Sequence, residues 1–224
     1  MRKSIMILIL ATTGIFSWGQ GITSPPETIY NQMPNSTGNV LSQKPFTNRN
    51  EEYIDTKYEY TDSIGMSLII RNSLPRGGLK YTGPNGKEYV YAVFWTRIVN
   101  LTVNPLKFTI DFPADSFEVP SSPGRYFKLF LPSDTMTLGK EDLFNYGLTG
   151  LQSFLDKGLQ KPSSLKRTIN PKESCVFYVV TLFNRGADGT VRAGFSLKGP
   201  NLFYRMNDKE ILCGKINLRN LMLQ

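Results

Sequence analysis

What most constrains this chain is an apolar alternation with a period of two. In residues 105–112, PLKFTIDF, the side chains of Leu106, Phe108, Ile110 and Phe112 alternate with Lys107, Thr109 and Asp111. Successive side chains of an extended strand point to opposite faces. This spacing therefore gives one apolar and one solvated face, as in an antiparallel strand that covers a core on one side. A helix would scatter the same four residues around its axis.

The period recurs along the chain. Ile64, Met66, Leu68 and Ile70 alternate with small or polar residues, and TGPNGK at 82–87 follows as a turn. In EYVYAVFWTRIV one face carries Val90, Ala92, Phe94, Thr96 and Ile98, and the other Tyr89, Tyr91, Val93, Trp95, Arg97 and Val99. Such a run belongs near the centre of a sheet. YFKLFLP turns Phe127, Leu129 and Leu131 inward, and CVFYVVTLF is apolar on both faces. VRAGFSLKG buries Val191, Ala193, Phe195 and Leu197; LFYRM and ILCGKINL close the set, with Asn207 and Asp208 as the turn between them. About seven to nine short strands joined by Gly and Pro turns predict an antiparallel β-sandwich over residues 53–224.

One stretch, about 138–158, breaks the period. Residues 140–146 read as a short helix stopped by Gly147, with Glu141 and Asp142 as acids in its first turn. Thr149 to Gln152 reads as a capping box opening a second helix that Gly158 ends. Phe144, Leu148, Leu151 and Leu155 would form one apolar stripe, packing the pair across the sheets as a lid or end cap. The strand pattern over about 53–220 resembles immunoglobulin-like and fibronectin-type-III-like secreted domains, although Trp95 precedes both cysteines, unlike the Cys–Trp–Cys order of antibody-type domains.

Residues 1–19 have the parts of a secretory signal: Arg2 and Lys3, an apolar stretch through Phe16, and small residues Ser17 and Gly19 before Gln20. The apolar run is shorter than the roughly 20 residues that span a bilayer. Export from a bacterial cytoplasm, to periplasm, surface or medium, is the expectation. Residues 20–52, with Pro25, Pro26, Pro34 and Pro45 among polar residues, read as a flexible leader. In an exported chain the two cysteines, Cys175 and Cys213, permit one disulfide; two buried thiols in apolar strands are the alternative.

Composition then narrows the chemistry. The chain has no histidine, which removes Ser-His-Asp and Cys-His triads and histidine-ligated metals. Without Arg2 and Lys3, 24 basic residues face 18 acids, a mild excess scattered along the chain. No nucleic-acid-binding motif accompanies it. The closest carboxylates, Asp111, Asp115 and Glu118, are the candidates for a carbohydrate hydrolase, which needs a pair about 5–9.5 Å apart. Pro113 interrupts their strand, which favours a solvated strand end. Asp188 and Gly189 read as a hairpin turn rather than a calcium loop, and Arg76-Gly77-Gly78 lacks the context of a phosphate loop. No cofactor is expected.

Aromatics make the better case. Tyr89, Tyr91 and Trp95 on one strand face would form a row roughly 7–20 Å long, able to stack sugars or anchor a protein. The competing reading packs the row beneath the helical cap. The expectation is thus an exported, non-enzymatic binding or accessory component of the cell envelope, its partner an envelope protein or glycan. The alternative is the hydrolase.

Overall fold

The structure is a computed structural model that describes residues 52–62, 64–119, 122–186 and 189–218. The expected signal and leader, 1–19 and 20–52, lie outside it except for Glu52, and so does Asp188. The described chain is mostly β, arranged as two antiparallel sheets, one of them curled into a half-barrel.

The first sheet joins β1 (Ile54–Thr61), β2 (Ser67–Ser73), β4 (Glu88–Asn100), β9 (Ser174–Phe183), β7 (Tyr126–Phe130) and β6 (Phe117–Glu118) in that order, with β3 (Arg76–Thr82) also paired to β4. The second has the order β10 (Ala193–Lys198), β11 (Asn201–Met206), β12 (Lys209–Ile216), β5 (Leu106–Phe112) and β8 (Ser163–Ile169). Between them lies one apolar core, to which Ile70, Phe94 and Val179 contribute from the first sheet and Phe108, Ile110 and Phe195 from the second. The expected inward faces of β5, β7 and β10 are all buried.

A second apolar cluster explains why β4 and β9 are apolar on both sides. Val93, Trp95, Tyr178 and Val180 point away from the first core and are covered by Met136, Tyr146, Leu148 and Leu155 of the segment between β7 and β8. The cap therefore lies across one face of the first sheet, but it is less helical than its sequence suggests. Its first half consists of 3-10 turns at Leu138–Lys140 and Phe144–Gly147, interrupted by positive φ at Asn145 and Tyr146. Only α1 (Leu151–Gly158) is an α-helix. Its N-cap is Gly150, not Thr149, with no side-chain cap hydrogen bond, so the capping box does not form. Phe144 is 69% exposed and leaves the apolar stripe. Glu141 is buried, and Asp142 accepts a hydrogen bond from the Tyr53 hydroxyl, so neither is a first-turn acid of a helix.

The described residues hold twelve strands, more than the alternation predicts. The added ones are β1, β3, β6 and β8, which are edge strands or partial ones. Ile64, expected inside a strand, is 75% exposed in the turn before β2. That turn is held by Asp62, whose carboxylate accepts the N–H groups of Ile64 and Met66. Cys175 and Cys213 are free thiols in this structure, on strands of different sheets.

The sheets are also tied by hydrogen bonds. Among the described residues strand β10 has a strand neighbour, β11, on one side only. On the other side the buried Asn72 amide of β2 takes the place of a strand: it accepts the Phe195 N–H at 2.9 Å and donates to the Phe195 carbonyl at 3.0 Å. Two residues on, the Tyr60 hydroxyl accepts the Leu197 N–H at 2.7 Å. Arg192, just before β10, forms an ion pair with Asp55. An edge that would otherwise expose backbone donors is closed by side chains of the opposite sheet.

Candidate functional site

The geometry of β2, β3 and β4 positions the site. β2 and β3 run end to end along one edge of β4: Leu68 to Asn72 face Asn100 to Thr96, and Arg76 to Thr82 face Val93 to Glu88. The Ser73 hydroxyl bridges the gap between them by accepting the Trp95 N–H at 2.8 Å. β1 covers β2, and its pairing ends where Leu74 donates to the Tyr53 carbonyl at 2.8 Å. Beyond that point β3 has no strand on its outer side among the described residues.

Within β3 the register shifts between Gly77 and Leu79, so Gly78 is the extra residue of a bulge. Both glycines have positive φ. A Cβ on Gly77 would stand 2.8 Å from the Tyr91 carbonyl and 3.2 Å from its ring, so only glycine lets the strand approach β4 so closely. Beside this bulge opens a cavity of about 370 Å³. Val90, Ala92, Phe183 and Val191 form its apolar wall, residues 75–78 and Gly186 its rim, and Tyr91 lies against it. The ionisable residues among its described lining are Arg76 and Tyr91, whose polar ends are held by the cap.

Arg76 also ties the site to the cap. It donates to the Leu143 carbonyl at 2.7 Å and the Asp142 carbonyl at 3.2 Å, and its guanidinium lies 5.0 and 4.7 Å from the ring centres of Tyr53 and Tyr146. The Tyr146 hydroxyl donates to the Leu74 carbonyl, and the Tyr178 hydroxyl to the Tyr146 carbonyl, both at 2.7 Å. Asn145 donates to the Tyr91 hydroxyl at 3.0 Å. Asn145 and Tyr146 hold left-handed backbone conformations that non-glycine residues rarely take; these contacts offset the strain.

The aromatic row expected on β4 stays on the capped face: Tyr89 and Tyr91, partly buried, pack against the same apolar cluster that buries Trp95, and the three differ in what else they border. Trp95 is 1% exposed beneath the cap, edge-on to Tyr146 at 6.4 Å. Tyr91 lines the cavity at the bulge. Tyr89 packs against Tyr81 at 6.0 Å and lines a different, shallow cleft with Tyr126 and Lys128.

The carboxylate candidates also separate. Asp111 lies exposed on β5 of the second sheet, in an open groove with Thr109 and Lys215. Glu118 lies on β6 of the first sheet and accepts the Gly124 N–H at 3.2 Å; Asp115 is in the loop between. Burial pushes the Cys213 thiol up to about 12 and raises that of Cys175. Among the described residues no cluster of three or more His, Cys, Asp or Glu could hold a metal ion, and no helix is long and apolar enough to cross a membrane.

Arg76-Gly77-Gly78, which lacks the context of a phosphate loop, carries a different signal in its sequence. Paired glycines just before the alternating Leu79 and Tyr81 are the mark of a bulged strand. No family model matches the chain, and no curated protein or solved structure matches it either.

Proposed function

We propose that this protein is an exported, non-enzymatic binding or accessory component of the bacterial cell envelope, and that it takes an envelope protein or glycan at the cavity beside β3. The observation that carries the reading is the coincidence, at one place, of a strand edge without a neighbour among the described residues, a glycine bulge, an apolar wall and Tyr91. Ligand sites are commonly apolar concavities with a few convergent polar groups. A bare edge offers main-chain hydrogen bonds to an extended partner, while a pocket beside it selects a side chain. We read the two packed sheets as a sandwich of immunoglobulin-like or fibronectin-type-III-like kind. The sequence features of residues 1–19 support export.

The test is affinity capture from the organism's envelope extract with the full chain as bait, proteins and glycans both analysed. A Gly186→Trp variant serves as the control. A Cβ on Gly186 meets, among the described residues, only Val90 within 4 Å, at 4.0 Å, so the backbone leaves room for a side chain there, and tryptophan is chosen to occupy the mouth. The reading expects a saturable partner that Gly186→Trp loses while its melting temperature stays unchanged. A partner retained by that variant, or none at all, overturns it.

A further inference from the structure

On the capped sheet's outer face, the strand pairing sets three cations side by side. Lys57 of β1 is the register partner of Arg71 on β2, and Arg71 is the partner of Arg97 on β4. Two inter-strand spacings of about 4.8 Å each place the outer two roughly 10 Å apart along the backbone. Like charges directly opposite one another cost stability, so an Arg–Arg pair at a central position needs a reason.

Among the described residues neither arginine has an ion pair. The Nε of Arg71 is buried without a hydrogen-bond partner, and Arg97 donates only to the Ser174 hydroxyl, at 3.2 Å. The next residue on β9, Val176, faces Arg97 and is apolar. Of the acids nearby, Glu59 reaches Lys57 at 4.0 Å, and Asp142 holds the Tyr53 hydroxyl. Glu141 of the cap is 5% exposed, and its Oε1 has no hydrogen-bond partner. Burial raises the Glu141 carboxyl and burial lowers the Arg97 guanidinium, with the Arg71 charge lowering it further; the attraction between Arg97 and Glu141 opposes both shifts without cancelling them. The pair is therefore under-neutralised: two guanidinium charges face at most one internal carboxylate, whose own ionisation is opposed.

We propose that Arg71 and Arg97, flanked by Lys57, form a binding site for an oxyanion: a sulfate, phosphate or carboxylate group. Guanidinium groups present planar forks that match such groups bidentately. A three-cation row favours anions repeated along a chain over an isolated ion. The site stands apart from the cavity beside β3 and does not rest on that reading.

The full chain, at constant ionic strength, is titrated with inorganic sulfate, inorganic phosphate and glucuronate while the Arg Nε–Hε resonances are followed. Saturable shifts are expected at Arg71 and Arg97 but not at Arg205, and the anion that saturates lowest identifies the source. Arg71→Gln should weaken binding at least roughly tenfold, the loss of one charge-assisted hydrogen bond, without lowering the melting temperature. Glu141→Gln should tighten it about threefold at neutral pH by removing a facing charge. Shifts that never saturate, or that appear equally at all arginines, overturn the proposal. Unchanged affinity in a folded Arg71→Gln does the same. The wild-type resonances decide the matter even if a variant does not fold.

Discussion

Replacing Asn72 with alanine should destabilise the protein by about 4 kcal/mol. The Asn72 side chain makes four hydrogen bonds: it accepts from the Phe195 N–H and, at 2.9 Å, from the Thr96 hydroxyl, and it donates to the Phe195 carbonyl and, at 3.0 Å, to the Thr56 hydroxyl. It is 1% exposed, as is Thr96. Truncation orphans three buried groups, the Phe195 N–H, its carbonyl and the Thr96 hydroxyl. Each costs about 1–3 kcal/mol if nothing replaces its partner. A water entering the vacated space would recover part of this, which sets the figure towards the lower half of the sum. For a domain of this size the shift in melting temperature is roughly 10 °C. Urea unfolding of the full chain, followed by near-UV circular dichroism, reads it directly.

Gly194 sharpens the test. A Cβ there would lie 2.4 Å from the Asn72 Cγ, so Gly194→Ala should drive the amide out of its seat and cost about 2–4 kcal/mol. In the Asn72→Ala background the contacts with Cγ and Nδ2 are gone and only the one with Cβ, at 2.7 Å, remains, so there is no amide left to displace. The two changes should therefore be strongly non-additive, with a coupling of at least about 1 kcal/mol. A loss under about 1 kcal/mol for Asn72→Ala, or simple additivity with Gly194→Ala, would refute the idea that this amide stands in for a strand.

Two further outcomes follow from burial. Because burial raises the Glu141 carboxyl above its ordinary value of 4.5, the folded state holds that proton more tightly than the unfolded chain. Its contribution is fully present below about pH 4.5 and is lost as pH rises through the folded value. Glu141→Gln should accordingly be more stable than wild type at pH 7, with the advantage closing towards pH 4, as measured by urea midpoints across that range. At pH 8 both thiols should resist alkylation in the native protein, with Cys213 the slower of the two, and both should react once unfolded. Fast native labelling of Cys213, followed by mass spectrometry, would contradict its placement in the core.

The core strands were legible because burial leaves a periodic imprint. Leu106 to Phe112 alternate and are buried as they alternate, and β4 and β9, apolar on both faces, lie at the sheet centre. Of the edge strands, β10 keeps this imprint because side chains of the opposite sheet cover it, whereas β3 and β8 do not. β8 carries Ser164, Lys166 and Thr168 between its inward residues, and β3 spends two positions on glycine. The cap was visible as a break in period, but its backbone was not. Asn145 and Tyr146 take positive φ because Tyr53, Arg76 and Tyr178 hold them there, contacts that span 32 to 93 residues in sequence. The candidate site was hidden for the same reason: Tyr91 borders a bulge on another strand and is held by Asn145 of the cap, which also covers Trp95 four residues on.

The most direct test of the account is hydrogen–deuterium exchange of the full chain with and without its captured envelope partner at saturation. Binding at the β3 edge predicts slowed exchange in Arg76–Thr82 and in the facing residues 89–92, with β8 unchanged. Protection confined to the outer face of the second sheet around Asp111, or no change at β3, would contradict it.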